Sequence, residues 1–165
     1  MSDLSDVSGE LKEEFMRLAV REARKNLRDL WGGPFGACIV RDGEVLAVAR
    51  NLVLKKDATC HAEINAIRAA SRKLGACDLS GCQIYSTTEP CPMCFAAIHW
   101  ARLGLLVYGA SIEDVARLGF NELAISNATM LALGGCKTPI VAGFMLDECG
   151  QLLQDWDNLE NKPVY

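Results

Sequence analysis

The chain has 165 residues, half of them hydrophobic and 23% charged, with a net charge of −4. That length suits a single domain spanning residues 1–165 with a core of its own, and it is too short for two comfortable ones. The acidic balance weighs against a large nucleic-acid partner, because phosphate binding rests on clustered Lys and Arg, although it leaves room for a local basic patch. Met1 to Glu14 is polar and acidic, without the apolar stretch of a signal peptide. No run approaches the ~18 uninterrupted apolar residues of a membrane span. A reduced, cytoplasmic protein is therefore expected, with the eight cysteines as thiols rather than bridges.

In chain order, Leu11, Phe15, Leu18, Ala19, Ala23, Leu27 and Leu30 recur at three- and four-residue steps, which predicts an amphipathic helix from about Gly9 to Asp29. Gly32-Gly33-Pro34-Phe35-Gly36 breaks it, either as a plain connection or as a place where the backbone comes close to a ligand with Phe35 as one wall. Ala37 to Val40 and Val45 to Ala49 flank Asp42-Gly43, a strong hairpin signal. After a polar loop from Asn51 to Thr59, a helix is predicted over His61 to Leu74, a strand over Gln83 to Thr87 and a helix over Pro90 to Ala101, with Pro near its first turn. The remainder reads as a strand from Leu105 to Tyr108, a helix from Ile112 to Leu118, a turn at Gly119 to Glu122 and a helix from Glu122 to Leu133. A strand from Pro139 to Phe144 and a helix from Leu146 to Leu159 end the chain. A hairpin followed by helices alternating with single strands predicts an α/β fold, a three-layer α/β/α arrangement around a mixed five-stranded sheet.

Two short stretches carry the chemistry. Cys60-His61-Ala62-Glu63 opens one helix, and Glu89-Pro90-Cys91-Pro92-Met93-Cys94 opens the next. His-x-Glu followed by Pro-Cys-x-x-Cys is the signature of zinc-dependent nucleobase deaminases. One imidazole and two thiolates supply three ligands, which leaves a tetrahedral zinc a fourth position for water. Cys91 and Cys94 lie on one face of a first helical turn, where the free amides and the helix dipole favour thiolates. For His61 to join them, two helix N-termini must lie side by side. Spacing alone does not bring Glu63 to the metal, because residues two apart do not share a helix face. A carboxylate beside a zinc-activated water is nonetheless the proton carrier that hydrolytic deamination needs.

The alternative is a structural zinc site, in which Cys60, Cys77, Cys82 or His99 closes a shell of four protein ligands. Cys60 is expected to point away from the metal and His99 to be a packing or surface residue. Cys38, Cys77, Cys82, Cys136 and Cys149 are most simply small buried hydrophobes.

With these motifs the sequence resembles the cytidine-deaminase-like zinc hydrolase superfamily, and within it the small bacterial guanine deaminases. Further matching stretches are Gly32 to Ala37, Asp57, Ala97 to Arg102, Gly119-Phe120 and the C-terminal Asn161-Lys162-Pro163-Val164-Tyr165. The resemblance implies one zinc per subunit on His61, Cys91 and Cys94, with Glu63 as the acid/base. It also implies substrate binding by Phe35, Asn51, Ala62, Trp100, Glu122 and Tyr165. Asn51 would hydrogen-bond the purine, Phe35 and Trp100 would flank it, Glu122 would read its polar edge, and Tyr165 would cap the pocket from its own chain or from the partner of a swapped homodimer. Three departures stand out. The loop from Asn51 to His61 is one residue shorter, Glu122 replaces Asp, and residues 124–137 are more apolar.

The resemblance thus implies hydrolytic deamination of a small nucleobase, guanine to xanthine and ammonia as the best single substrate, with no nucleic-acid or membrane partner. Three alternatives stay open. The first is a tRNA adenosine deaminase, for which Lys55, Lys56, Arg68, Arg72 and Lys73 are the only patch on offer. The second is a deaminase of cytosine, a nucleoside, a pterin or a triazine, and the third is a non-catalytic zinc protein.

Overall fold

A computed structural model of the protein describes residues 11–165. The expected helix start at Gly9 and the first ten residues of the acidic N-terminal stretch lie outside them. Two β-strands form the expected hairpin, β1 (Gly36–Arg41) and β2 (Glu44–Arg50), closed by Asp42 and Gly43, both at positive φ as a tight hairpin turn requires. β3 (Cys82–Thr88), β4 (Leu105–Ala110) and β5 (Ile140–Val141) complete a five-stranded sheet in the order β2-β1-β3-β4-β5. β1 is antiparallel to both of its neighbours, whereas β3, β4 and β5 run parallel, so β2 also runs with them. This is the mixed sheet expected from the sequence.

Helices cover both faces. On one, α1 (Glu13–Arg24) packs on β1, β2 and β3 through Phe15, Met16, Ala19, Val20 and Ala23, and α7 (Leu146–Asp157) packs on β4 beside it. The exposed ion pairs Arg17–Glu148 and Arg24–Asp155 join the two helices along their rims. On the other face lie α3 (Ala62–Leu74), α4 (Pro92–Trp100) and α6 (Asn127–Gly134), while α5 (Ile112–Ala116) follows β4. α1 approaches β1 so closely that a Cβ on Gly36 would collide with the Ala19 carbonyl.

Four expectations need correction. The first helix does not run unbroken to Asp29. It is interrupted at Lys25, and a short α2 (Asn26–Asp29) follows with Asn26 turned inward. The helix expected from Glu122 begins only at Asn127, because Ser126 caps it through a bond from the Thr129 amide, which leaves 120–126 as loop. The last strand is two residues long, since Gly143 at positive φ turns the chain away. Cys77 is exposed rather than buried.

Because β2, β3 and β4 are parallel, α3 and α4 are successive crossovers that start at the same edge of the sheet. Asn51, Phe35 and Glu89 sit at that edge as well, just beyond strand ends. Ligands of such sheets bind outside the carboxyl ends of parallel strands.

Candidate metal centre and substrate cleft

His61 and Cys91 are the N-cap residues of α3 and α4, and Cys94 is the third residue of α4. Pro92 occupies the first helical position, where its fixed φ starts the turn and its missing N–H leaves no bond broken. The side-by-side crossovers bring the three donor atoms within 4.8 Å of one another, with Cys91 Sγ 3.6 Å from His61 Nδ1. Donors about 2.0–2.3 Å from one tetrahedral ion lie roughly 3.5–4 Å apart, so the set fits zinc.

The electrostatics agree. The Cys91 thiol is pulled down to about 4, first by a hydrogen bond from Cys94 and then by His61, which makes it a thiolate. The Cys94 thiol is raised, first because it donates to Cys91 and then by burial. Burial works to lower the His61 imidazole, but the Cys91 thiolate and the Glu63 carboxylate outweigh it and bring it to about 9. Cys60 is buried with its sulfur 3.4 Å from Asp57 Oδ2, pointing away as expected, and His99 is exposed beside Trp100. Among the described residues no fourth Cys, His, Asp or Glu joins the set, which is the composition of a catalytic rather than a structural zinc site.

Glu63, in the first turn of α3, is 4% exposed, and its carboxylate accepts a 3.4 Å bond from Ser86 Oγ on β3. Burial raises its pKa to about 7, the range in which one carboxyl group both takes up and gives back a proton near neutrality.

Beyond the metal ligands is a cleft of about 250 Å³ lined by Phe35, His61, Cys91, Met93, Glu122 and Tyr165, among others. It continues inward past Phe35, His61, Cys91 and Glu122 to Glu63, Thr88 and Glu89. The Glu122 carboxylate has no hydrogen bond or ion pair to any described residue, and burial first, then the Cys91 thiolate, raises its pKa. Phe35 packs edge-on against Phe120 at 5.1 Å, and Phe120 in turn against Tyr165 at 5.3 Å.

Asn51 is fully buried. Its Oδ1 accepts from the Val53 amide at 3.1 Å and from the Tyr165 hydroxyl at 2.9 Å, and the amide bond fixes the orientation of the carboxamide. Its Nδ2 is then a buried donor with no partner among the described residues, the kind of group that needs a ligand acceptor or water. The Tyr165 hydroxyl also accepts from the Gly33 amide at 2.7 Å. The C-terminal residue therefore reaches the pocket of its own chain.

Of the residues singled out in the sequence, Phe35, Glu63, Glu122 and Tyr165 meet around the cleft with His61 and Cys91, whereas Cys94, Asn51 and Ala62 are fully buried and do not line it. Trp100 does not join them. It ends α4, about 13 Å along the helix from Cys91 at 1.5 Å per residue, and is 82% exposed. Three residues went unrecognised. Asn26 donates from Nδ2 to the carbonyls of Gly33 and Asn51, both at 2.8 Å, and so ties the glycine loop to the Asn51 backbone. Glu89 and Asn127 brace the far side of the cleft. No spacing rule finds them, since each acts on backbone distant in sequence or carried by loops.

Comparison with known proteins agrees with this geometry. Residues 10–110 match the family model of the cytidine and deoxycytidylate deaminase zinc-binding region. The chain is 38% identical over 154 residues to the guanine deaminase of Bacillus subtilis, covering 93% of this chain and 98% of that one. It is 41% identical over 100 residues to the tRNA-specific adenosine deaminase of Aquifex aeolicus, covering 60% of this chain and 66% of that one. Among solved structures it resembles a guanine deaminase from Nitrosomonas europaea with a TM-score of 0.81 at 28% identity, covering 90% of this chain and 86% of that one.

Proposed function

Because the chain belongs to the cytidine and deoxycytidylate deaminase family of zinc-dependent deaminases, we propose that it hydrolyses guanine to xanthine and ammonia as a single deaminase domain. The observation that carries the choice of substrate is the Glu122 carboxylate, half-buried in the same cleft as His61 and Cys91 and without a partner among the described residues. An ionised carboxylate only accepts, so it suits a base that presents N–H donors. On the other side, the orphaned Asn51 Nδ2 offers a donor to a ring nitrogen or carbonyl. Guanine presents both kinds of edge.

His61, Cys91 and Cys94 hold the zinc, which when bound supplies a Lewis acid that activates water at neutral pH. Glu63 takes a proton from the attacking water and delivers one to the departing amine, so the proton count closes with xanthine and ammonia as products. Its pKa near 7 equips it for both transfers. Phe35 packs on the base, Ala62 at the first residue of α3 contacts the base between His61 and Glu63, and Tyr165 holds Asn51 in place through its hydroxyl. The protein acts as a cytoplasmic homodimer on a free base. A tRNA partner is disfavoured by the net charge of −4 and by Tyr165 lying across the cleft. No described helix is long and apolar enough to cross a membrane.

The test is Glu122→Gln, followed by zinc content and guanine turnover together. Turnover is expected to suffer far more than metal binding. Equal loss of both would remove the recognition role, and a salt-dependent shift of tRNA by the protein would favour the adenosine deaminase reading instead.

A further inference from the structure

Glu122 lies in a loop, 120–126, with little internal order. Within it the Glu122 amide bonds the Phe120 carbonyl and the Ile125 amide the Leu123 carbonyl, both purely local contacts. Among the described residues its only backbone bond to a distant residue runs from the Asn121 amide to the Tyr165 carbonyl at 3.1 Å. Phe120, at the start of the loop, is buried against Phe35, Trp156 and Tyr165, and a single side chain fastens the two ends of the longer 112–127 segment that carries Glu122. Glu89 is 7% exposed, and each of its carboxylate oxygens accepts one backbone amide. Oε2 takes the Ile112 amide at 3.1 Å, at the start of α5, and Oε1 takes the Asn127 amide at 2.7 Å, at the start of α6. Amides at helix N-termini have no partner within the helix, and an anionic acceptor makes the stronger bond to them. The fully buried Asn127 closes the ring by donating from Nδ2 to the Pro90 carbonyl at 2.6 Å. Glu89 stands two residues before Cys91, and Pro90 lies between them. Both ends of the 112–127 segment are thereby fastened to the turn that presents a metal ligand.

We propose that Glu89 is a positioning residue for substrate recognition: its carboxylate clamps both ends of the segment that carries Glu122 and so sets the depth at which Glu122 meets the base. The proposal rests on the reading of Glu122 as the substrate-binding carboxylate. It gives a buried acid next to the Pro-Cys-x-x-Cys motif a task other than metal binding or proton transfer, since both oxygens are already engaged by amides.

The zinc-loaded proteins to compare are wild type, Glu89→Gln, Asn127→Ala and Glu122→Gln. Glu89→Gln turns one acceptor into an NH2 that faces an amide N–H, whereas Asn127→Ala breaks the same ring from the other side and keeps Glu89 intact. Expected for Glu89→Gln is a KM for guanine raised about tenfold or more with kcat within about threefold. Zinc content should be retained, with faster amide hydrogen exchange confined to residues 112–127. Asn127→Ala should shift the same quantities in the same direction by less. An unchanged KM in both variants would overturn the proposal, and so would a fall in kcat at constant KM. Loss of zinc or of cooperative unfolding in both would make Glu89 a fold-building residue and overturn it equally. Glu122→Gln separates the two readings. If that variant leaves KM and kcat untouched, the recognition role of Glu122 fails, while the exchange pattern still reports whether the clamp holds the segment.

Discussion

The two walls of the cleft are built differently. On the metal side, His61, Glu63, Cys91 and Cys94 all sit within the first turn or cap of α3 and α4, and parallel crossovers set the two helices side by side. On the substrate side, Phe35, Asn51, Glu122 and Tyr165 stand in loops or at the chain end, held by side-chain bonds from Asn26, Glu89 and Asn127. Regular backbone places the metal-site residues, and individually tethered loops place the residues proposed to bind the substrate.

Substitutions on each wall should separate accordingly. The largest effect is expected from Glu63→Gln, which removes the proton carrier: kcat should fall about 10²- to 10⁴-fold while zinc stays bound, as read by steady-state kinetics and metal analysis. Glu122→Gln replaces a charge-assisted acceptor worth about 1.5–3 kcal/mol with a neutral one, so kcat/KM for guanine should drop by about one to two orders of magnitude. A loss of zinc there would show that the two walls are not independent. Tyr165→Phe deletes the hydroxyl between the Gly33 amide and Asn51 Oδ1. One neutral hydrogen bond is worth about 1 kcal/mol, which amounts to roughly fivefold in KM with kcat kept.

The smallest effect concerns the helix that leads into the substrate loop. Ser111 and Asp114 form a reciprocal capping box at the start of α5. The Ser111 hydroxyl, ahead of its amide, holds the Asp114 carboxyl below the usual carboxylate range. A lowered folded-state pKa means that this stabilisation is complete above the unfolded value near 4 and is lost as pH falls through the lower folded one. Ser111→Ala should therefore cost about 0.5–2 kcal/mol at neutral pH by thermal melting, and the gap from wild type should narrow in acid to the share of the pH-independent bond from the Asp114 amide to the Ser111 hydroxyl.

The same contrast explains what could be read from the chain alone. Cys91, Cys94 and the helix that bears them are legible because the cysteine spacing and Pro92 at the first helical position act within a few residues. The parallel crossovers follow from strands alternating with helices, and they bring His61 to the cysteines. Legibility ends where long-range tethers take over. The apolar stretch after Glu122 reads as part of a helix, yet Ser126 starts the helix only at Asn127, and the buried bonds from Asn127 to Glu89 and Pro90 hold it there. Asn26 reads as one more helical residue, but its side chain turns inward to bind two loop carbonyls. Trp100 entered through resemblance, and the length of α4 carries it out of this chain's cleft. The shorter loop after Asn51 still closes on the site, because the Leu52 amide bonds the Cys60 carbonyl at 2.9 Å.

The most direct measurement is ammonia release by the zinc-loaded protein from a panel of free purines, pyrimidines, nucleosides, pterins and triazines, with an anticodon-arm RNA alongside and Glu63→Ala as the blank. Guanine is expected to give the highest kcat/KM, xanthine is expected to accumulate in step with ammonia, and the blank is expected to be silent. Turnover of adenosine in the RNA with guanine inert would contradict the account, as would metal-loaded protein that releases no ammonia from any compound in the panel.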